Sequence, residues 1–131
     1  MRALLADGHK QVRSALRLLL EHQTEISVVG EVAEAEGLLA RVRIDLPDLV
    51  LLDWELPSAR HETAGLGGYG LVTALRNLNP AIRVVALSGR PEARHAALAA
   101  GADAFVCKGD PPELVLAALR RREPQGDASA A

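Results

Sequence analysis

The sequence predicts an α/β protein in which five parallel strands form one doubly wound sheet with helices on both faces. Strand-like and helix-like segments alternate five times, a pattern typical of strand–helix–strand units. The strand segments are continuous apolar runs, as expected for strands that are buried on both faces. The chain of 131 residues is long enough for one domain and too short for two ordinary ones. We expect one domain over residues 1–122 and a disordered, polar tail over residues 123–131.

The first half of the chain predicts three strands and two helices. Strand one is the apolar run at residues 3–6, strand two covers residues 26–29 and strand three covers residues 48–53. Apolar residues with helical spacing predict helix one; they are Val12, Ala15, Leu16, Leu19 and Leu20. The same spacing predicts helix two, bounded by Pro47; its apolar residues are Ala35, Leu38, Leu39 and Val42.

The second half predicts two more strands and three helices. Strand four covers residues 82–87 and strand five covers residues 104–107. Helix three is marked by Leu71, Leu75 and Leu78 and ends at Asn79-Pro80. Helix four opens near Pro91, ends at Gly101, and has an inner stripe predicted to be entirely alanine, comprising Ala93, Ala96, Ala97 and Ala100. Helix five opens at Pro111 or Pro112 and carries Leu114, Ala117 and Ala118.

Composition argues against several classes of protein. A net charge of −2 gives no general basic character for binding nucleic acid or a membrane. Hydrophobic residues make up 49 % but aromatic residues only 2 %, so the core must be aliphatic. A single cysteine, Cys107, excludes an intramolecular disulfide and is expected to be a small buried residue without chemistry. We expect a soluble cytoplasmic protein with no direct nucleic-acid contact.

Four strand-like runs each end in a polar residue. Asp7, Asp53, Ser88 and Lys108 close the first, third, fourth and fifth runs. Carboxyl ends of parallel strands meet at one edge of the sheet, where open α/β folds bind their ligands. Two acids, a hydroxyl and an amine gathered there suit phosphoryl chemistry with a divalent cation.

The segments that carry these residues resemble bacterial response-regulator receiver domains. They are Leu4-Leu5-Ala6-Asp7-Gly8-His9, Leu49-Val50-Leu51-Leu52-Asp53-Trp54-Glu55-Leu56-Pro57, Val85-Ala86-Leu87-Ser88-Gly89 and Gly101-Ala102-Asp103-Ala104-Phe105-Val106-Cys107-Lys108. Residues 28–33 also resemble the subfamily that is often fused to a helix-turn-helix output domain, which suggests a part in transcription regulation.

The resemblance implies a flavodoxin-like (βα)5 fold with strand order 2-1-3-4-5 and a role in phosphorelay signalling. Asp53 would accept a phosphoryl group from a sensor histidine kinase, Lys108 would pair with the phosphate, and Ser88 would sense it. Phe105 would be the switch aromatic. Asp7, Asp53 and the backbone carbonyl of Glu55 would hold Mg²⁺. The face formed by helix four, strand five and helix five would be the output surface, with homodimer formation as one outcome. No enzymatic activity is implied beyond self-phosphorylation and self-dephosphorylation at Asp53.

Two departures from the family pattern affect these expectations. Receiver domains usually carry two consecutive acids after strand one, but the second position here is Gly8. Mg²⁺ takes few protein ligands, so we predict weak Mg²⁺ binding. The segment over residues 58–70 is also longer than the family pattern, and its His61 and Glu62 either supply a substitute ligand or belong to an occluding insertion.

Other interpretations remain open from the sequence. The chain could be a phosphorylation-independent pseudo-receiver that serves as an interaction or dimerisation module, which Gly8 and the long segment favour. Asp7-Gly8-His9 also has the Asp-x-His spacing of a cobalamin-binding loop, although the glycine expected shortly afterwards is absent. Asp7 could instead cap helix one. We expect His9, His22 and His95 to be solvated helix residues.

Overall fold

The computed structural model describes residues 1–58 and 67–120. Five parallel strands form one sheet in the order β2-β1-β3-β4-β5, which confirms the predicted fold and strand order. The strands are β1 (Arg2–Ala6), β2 (Ser27–Val32), β3 (Leu49–Asp53), β4 (Arg83–Ser88) and β5 (Ala104–Cys107).

Helices follow the strands and cover both faces of the sheet. They are α1 (Lys10–Glu21), α2 (Ala35–Asp45), α3 (Gly67–Leu78), α4 (Arg94–Ala99) and α5 (Pro112–Arg120), with a 3₁₀ turn (Pro91–Ala93) just before α4. Within the described ranges, no helix is long and apolar enough to cross a membrane.

The core consists of two aliphatic clusters, one on each side of the sheet. Successive strand residues point to opposite faces, so Leu4 and Val50 lie in the cluster under α2, α3 and α4. Leu5 and Leu51 lie in the other cluster, under α1 and α5. The central strand β3 is buried along its whole length, which explains its continuous apolar sequence and holds the acid at its end in a fixed place.

Two helices bury different residues from those predicted. In the α4 region, Ala93, Ala97 and Leu98 are buried whereas Ala96 is exposed, so the expected all-alanine stripe is wrong. The predicted stripe assumes continuous helical spacing from Ala93, but residues 91–93 form a 3₁₀ turn with three residues per turn, so that spacing does not hold across the start of α4. In α5, Leu114 is 48 % exposed. The residues that α5 buries are Val115, Ala118 and Leu119.

Strand and helix ends differ from the predictions by a few residues. β2 covers Ser27–Val32, so it begins one residue later and ends three residues later than predicted, and it contains a register irregularity opposite Ala3 and Leu4. α3 begins at Gly67, so residues 67–70 belong to the helix and not to a loop. Gly101 follows α4 with φ +112°, as the predicted C-terminal glycine requires.

Two sequence-based expectations fall outside the described residues. Residues 59–66 include His61 and Glu62, the expected substitute ligands. The expected tail at residues 123–131 lies outside as well.

Candidate functional site: the acid pair at the sheet edge

The candidate site lies where the strand order reverses. β1 is paired with β2 on one side and β3 on the other, and the helices after β1 and β3 diverge to opposite faces. Such a reversal opens a crevice at the carboxyl ends of the strands. Asp7 follows β1 and Asp53 ends β3, and their exposed fractions are 0 % and 1 %. The structure therefore brings the two predicted acids together in a buried position.

The Lys108 ammonium group bridges the two acids. Its Nζ lies 2.9 Å from Asp7 Oδ2 and 3.1 Å from Asp53 Oδ1. Burial acts to lower the pKa of Lys108, but the hydrogen bond to Asp7 and the charge of Asp53 outweigh it, so the pKa is raised above its ordinary value. Lys108 is thus held as a cation, which offsets the cost of placing two carboxylates side by side away from water.

Backbone amides fix the orientation of both carboxylates. Glu55 N donates to Asp53 Oδ1 at 3.0 Å, and Gly8 N lies 3.3 Å from Asp53 Oδ2. His9 N donates to Asp7 Oδ1 at 2.8 Å. Because these donors belong to the turns after β3 and β1, the acids are held by the same segments that end the strands. The site is therefore preorganised for a ligand that is attracted by fixed carboxylate oxygens.

The Ser88 hydroxyl is engaged by a neighbouring acid. Ser88 is buried, and its Oγ lies 3.0 Å from each carboxylate oxygen of Glu55, which share its single proton. Arg90 supports the arrangement: its backbone N donates to Ser88 Oγ at 3.0 Å, and its guanidinium group lies 3.1 Å from Glu55 Oε2. We call Ser88, Glu55 and Arg90 the hydroxyl clasp.

The sequence predicts only a backbone role for Glu55, so the contact of its side chain with Ser88 is one that sequence reasoning missed. The signal was present, because the acid stands two residues after Asp53 and the arginine two residues after Ser88. Both strands end at the same edge, which places the two side chains within reach of each other.

Phe105 and Cys107 occupy β5 beside the site. The Phe105 ring is 4 % exposed and packs in the core cluster, and the Arg94 guanidinium carbon lies 5.7 Å from the ring centroid. Arg94 also donates to the Phe105 carbonyl at 3.2 Å, which ties α4 to β5. A switching role for Phe105 stays a prediction. Cys107 is only partly buried, although a buried residue was expected, and it packs against the same cluster.

Gly8 occupies the position of the missing acid. A Cβ atom there would lie 3.0 Å from Pro57 Cδ and 3.1 Å from Pro57 Cγ. The ring of Pro57 would have to move by a few tenths of an ångström to admit any side chain. Glycine at position 8 therefore permits the turns after β1 and β3 to pack tightly against each other.

The donors that remain fit a divalent cation. Apart from its ion pair with Lys108, the buried Asp7 Oδ2 has no hydrogen-bond partner in the part of the chain that the structure describes. One ligand atom each from Asp7, His9 and Asp53 lies within 4.8 Å of the others. Mg²⁺ is usually bound in proteins by one or two carboxylates together with waters, so the two acids are of the kind that it accepts. His9 is exposed, as predicted for a solvated residue, but its Nδ1 lies 3.2 Å from Asp7 Oδ1. The sequence reasoning missed this contact.

The chain belongs to the response regulator receiver domain family, whose model matches residues 3–120. Among curated proteins it is 34 % identical to the transcriptional activator protein ExaE of Pseudomonas putida over 123 residues, which are 92 % of this chain and 54 % of ExaE. It is 30 % identical to the response regulator UvrY of Escherichia coli over 119 residues, or 89 % of this chain and 51 % of UvrY. The chain thus spans about half the length of these relatives.

Solved structures agree with this assignment. A LuxR-family two-component response regulator from Aurantimonas superposes with a TM-score of 0.75 at 28 % identity, covering 98 % of this chain and 92 % of that one. RcsB from Salmonella enterica, solved on promoter DNA with a phosphomimetic, matches with a TM-score of 0.80 over 91 % of this chain and 58 % of its own, but at 23 % identity it shows the fold alone. The chain is therefore a receiver domain of two-component signalling.

Proposed function

We propose that Asp53 accepts a phosphoryl group from the phosphohistidine of a sensor kinase. An Asp53 carboxylate oxygen attacks phosphorus, the P–O bond forms as the P–N bond breaks, and the electron pair returns to the kinase imidazole. The observation that carries the proposal is the Lys108 ammonium group held between two buried acids at the switch point. This cation can pair with a phosphate oxygen as charge develops.

Mg²⁺, when bound, would neutralise phosphoryl oxygens. Asp53 would hold it directly, Asp7 through water and Glu55 through its backbone carbonyl. With glycine at position 8 the chain offers one carboxylate fewer than the usual pattern, so weak binding is expected. The chain would catalyse no reaction other than its own phosphorylation and dephosphorylation.

Ser88 would report the modified state. In the structure its hydroxyl bonds to Glu55, so it must leave the hydroxyl clasp to donate to a phosphate oxygen. That movement would free space beside β5 and transmit the change, through Phe105 and Arg94, to the face formed by α4, β5 and α5. Asp53 ends β3 and Ser88 ends the adjacent strand β4, where Asp53 is the register partner of Leu87. The signal would therefore travel only from one strand end to its neighbour.

A phosphate mimic tests this proposal. Beryllofluoride with Mg²⁺ should change the fluorescence of Trp54, the only tryptophan, which adjoins Asp53 and is partly buried. The Asp53→Asn variant should give no response. A response of equal size in Asp53→Asn, or none in the wild type at high Mg²⁺, would contradict phosphorylation at Asp53.

The second candidate function is a phosphorylation-independent interaction module. Gly8 favours it, because the site lacks an acid and Pro57 leaves no room for one without movement. The intact Asp7, Asp53 and Lys108 triad favours the first proposal. The cobalamin interpretation gains no support from the family match.

A further inference from the structure

The site contains a nitrogen donor that an all-oxygen magnesium site lacks. His9 stands at the N-terminal boundary of α1, where its backbone amide donates to Asp7 Oδ1 and its ring Nδ1 lies 3.2 Å from the same oxygen. A ligand atom of His9 is within 4.8 Å of ligand atoms of both Asp7 and Asp53. One imidazole and two carboxylates therefore lie close enough together to approach a single ion.

The geometry requires only a small adjustment to hold an ion. Donors bound at about 2.0–2.2 Å lie up to about 4.4 Å apart across a metal. The two carboxylates are buried and fixed by backbone amides, whereas the His9 side chain is 68 % exposed. His9 can thus rotate towards a cation that the two acids already hold in place.

The donor set discriminates between cations. Mg²⁺ prefers oxygen ligands, whereas imidazole suits borderline metals such as Co²⁺ and Zn²⁺. The Lys108 ammonium competes with any cation for the oxygens of Asp7 and Asp53, since it contacts both. It does not compete for the imidazole nitrogen. A borderline cation therefore retains the His9 imidazole as a ligand even when Lys108 contacts both carboxylates. Mg²⁺ gains little from that imidazole.

We propose that Asp7, Asp53 and His9 form a mixed-ligand site that binds a borderline first-row cation in preference to Mg²⁺. His9 supplies the ligand that compensates for the acid absent at Gly8. The inference rests on the proposed function only in that both assign a cation to the same two acids.

Direct metal titration of the full, unphosphorylated chain tests the proposal. Co²⁺ binding is followed by its visible absorption, and Mg²⁺ binding by competition against it. Co²⁺ should bind at least about tenfold more tightly than Mg²⁺. His9→Asn should weaken Co²⁺ binding by about 10–100-fold while leaving Mg²⁺ affinity nearly unchanged. Gly8→Asp should shift the preference back towards Mg²⁺, with the Pro57 ring moving by a few tenths of an ångström to admit the new side chain.

The other histidines provide matched controls. His22→Asn alters the same helix at its far end, where the ring contacts the Leu18 carbonyl, and His61→Asn tests the segment outside the described residues. Neither should change Co²⁺ affinity. Equal affinity for Co²⁺ and Mg²⁺, or a loss in His61→Asn instead of His9→Asn, would overturn the proposal.

One further readout, the NMR spectrum, tests the role of His9 without a variant. Bound Co²⁺ should shift and broaden the ring-proton NMR signals of His9 in the wild type, which needs no variant, and unshifted His9 signals would also overturn the proposal. Because no phosphodonor is present, the metal result is independent of phosphorylation. A chain that is phosphorylated with Mg²⁺ but whose Co²⁺ affinity is unchanged by His9→Asn would refute this inference and leave the proposed function standing.

Discussion

Lys108 is the residue on which the charge balance of the site depends. Its pKa is raised, since the interactions with Asp7 and Asp53 outweigh the opposing effect of burial. A cationic group with a raised pKa stabilises the fold below its unfolded-state pKa and loses that contribution as pH rises through its folded-state pKa. The unfolding free energy should therefore fall as pH rises beyond the ordinary lysine value of 10.5.

Lys108→Met should make that alkaline decline shallower, because the titrating group is gone. Urea unfolding from about pH 9 to about pH 11.5 measures the slope. Lys10→Met is the matched control, since Lys10 is the only other lysine and is exposed. A slope that changes equally in both variants would contradict the assignment.

The hydroxyl clasp makes a second prediction at the residue scale. Ser88 must leave Glu55 before it can donate to a phosphate oxygen, and a hydrogen bond to a charged group contributes about 1.5–3 kcal/mol. Glu55→Ala should therefore bind beryllofluoride about tenfold or more tightly than the wild type. Glu55→Gln should lie between them, because its neutral amide oxygen is a weaker acceptor. Trp54 fluorescence gives the affinities, and unchanged binding in Glu55→Ala would show that the clasp does not restrain Ser88.

Contact between α3 and the turn after β3 depends on a glycine. A Cβ atom at Gly68 would clash with the ring of Trp54. Gly68→Ala should lower the unfolding free energy by about 1–3 kcal/mol, since a rigid ring must move and the gain in helix propensity is smaller. The Trp54 emission should shift as well.

Gly37→Ala in α2 is the control for that substitution. Its added Cβ would lie 3.4 Å from Val32 side-chain carbons, so the variant should be neutral or stabilised by up to about 1 kcal/mol. Stabilisation of the Gly68→Ala variant to the same degree would contradict the packing described for Trp54.

An ion pair with a buried acid joins α3 to the segment before β5. Arg76 of α3 lies 2.9 Å from Asp103 Oδ2, and the Val84 amide donates to the same oxygen at 2.8 Å. Arg76→Ala removes the contact between the Arg76 guanidinium group and the fully buried Asp103, and it should cost about 3 kcal/mol. Arg43→Ala, an exposed arginine of α2, should change the unfolding free energy by less than about 0.5 kcal/mol in denaturant unfolding. Equal effects would contradict the buried pair.

At the scale of elements, the sequence predicted the strands and helices that hydrophobic periodicity specifies. It missed the side-chain contacts that depend on tertiary packing. The parallel sheet and the convergence of Asp7, Asp53 and Lys108 followed from apolar runs and the residues that end them, whereas the strand order followed from the resemblance to receiver domains. The all-alanine buried stripe predicted for α4 was wrong because the 3₁₀ turn before α4 interrupts the helical spacing. The Glu55 side chain on Ser88 and the His9 ring beside Asp7 depend on turn geometry, which no spacing rule specifies.

At the scale of the whole molecule, assembly is expected to depend on phosphorylation. The net charge is −2, and large apolar side chains on the described surface, such as Leu18, Tyr69 and Leu114, lie on different helices. A stable interface buries at least about 1,000 Å² in total. We therefore expect a monomer or weak dimer, with beryllofluoride and Mg²⁺ raising the dimer fraction in sedimentation. A tight dimer in both the wild type and Asp53→Asn would instead support the interaction-module function.

Covalent phosphorylation of Asp53 is the most direct test of the receiver function. The chain is incubated with acetyl phosphate and either Mg²⁺ or Co²⁺, and the products are measured by intact-protein mass spectrometry and mapped after borohydride reduction. We predict the addition of one phosphoryl group, labile to hydroxylamine, on Asp53, and none in Asp53→Asn. No addition to a folded wild-type chain with either cation, or addition at another residue, would contradict the account.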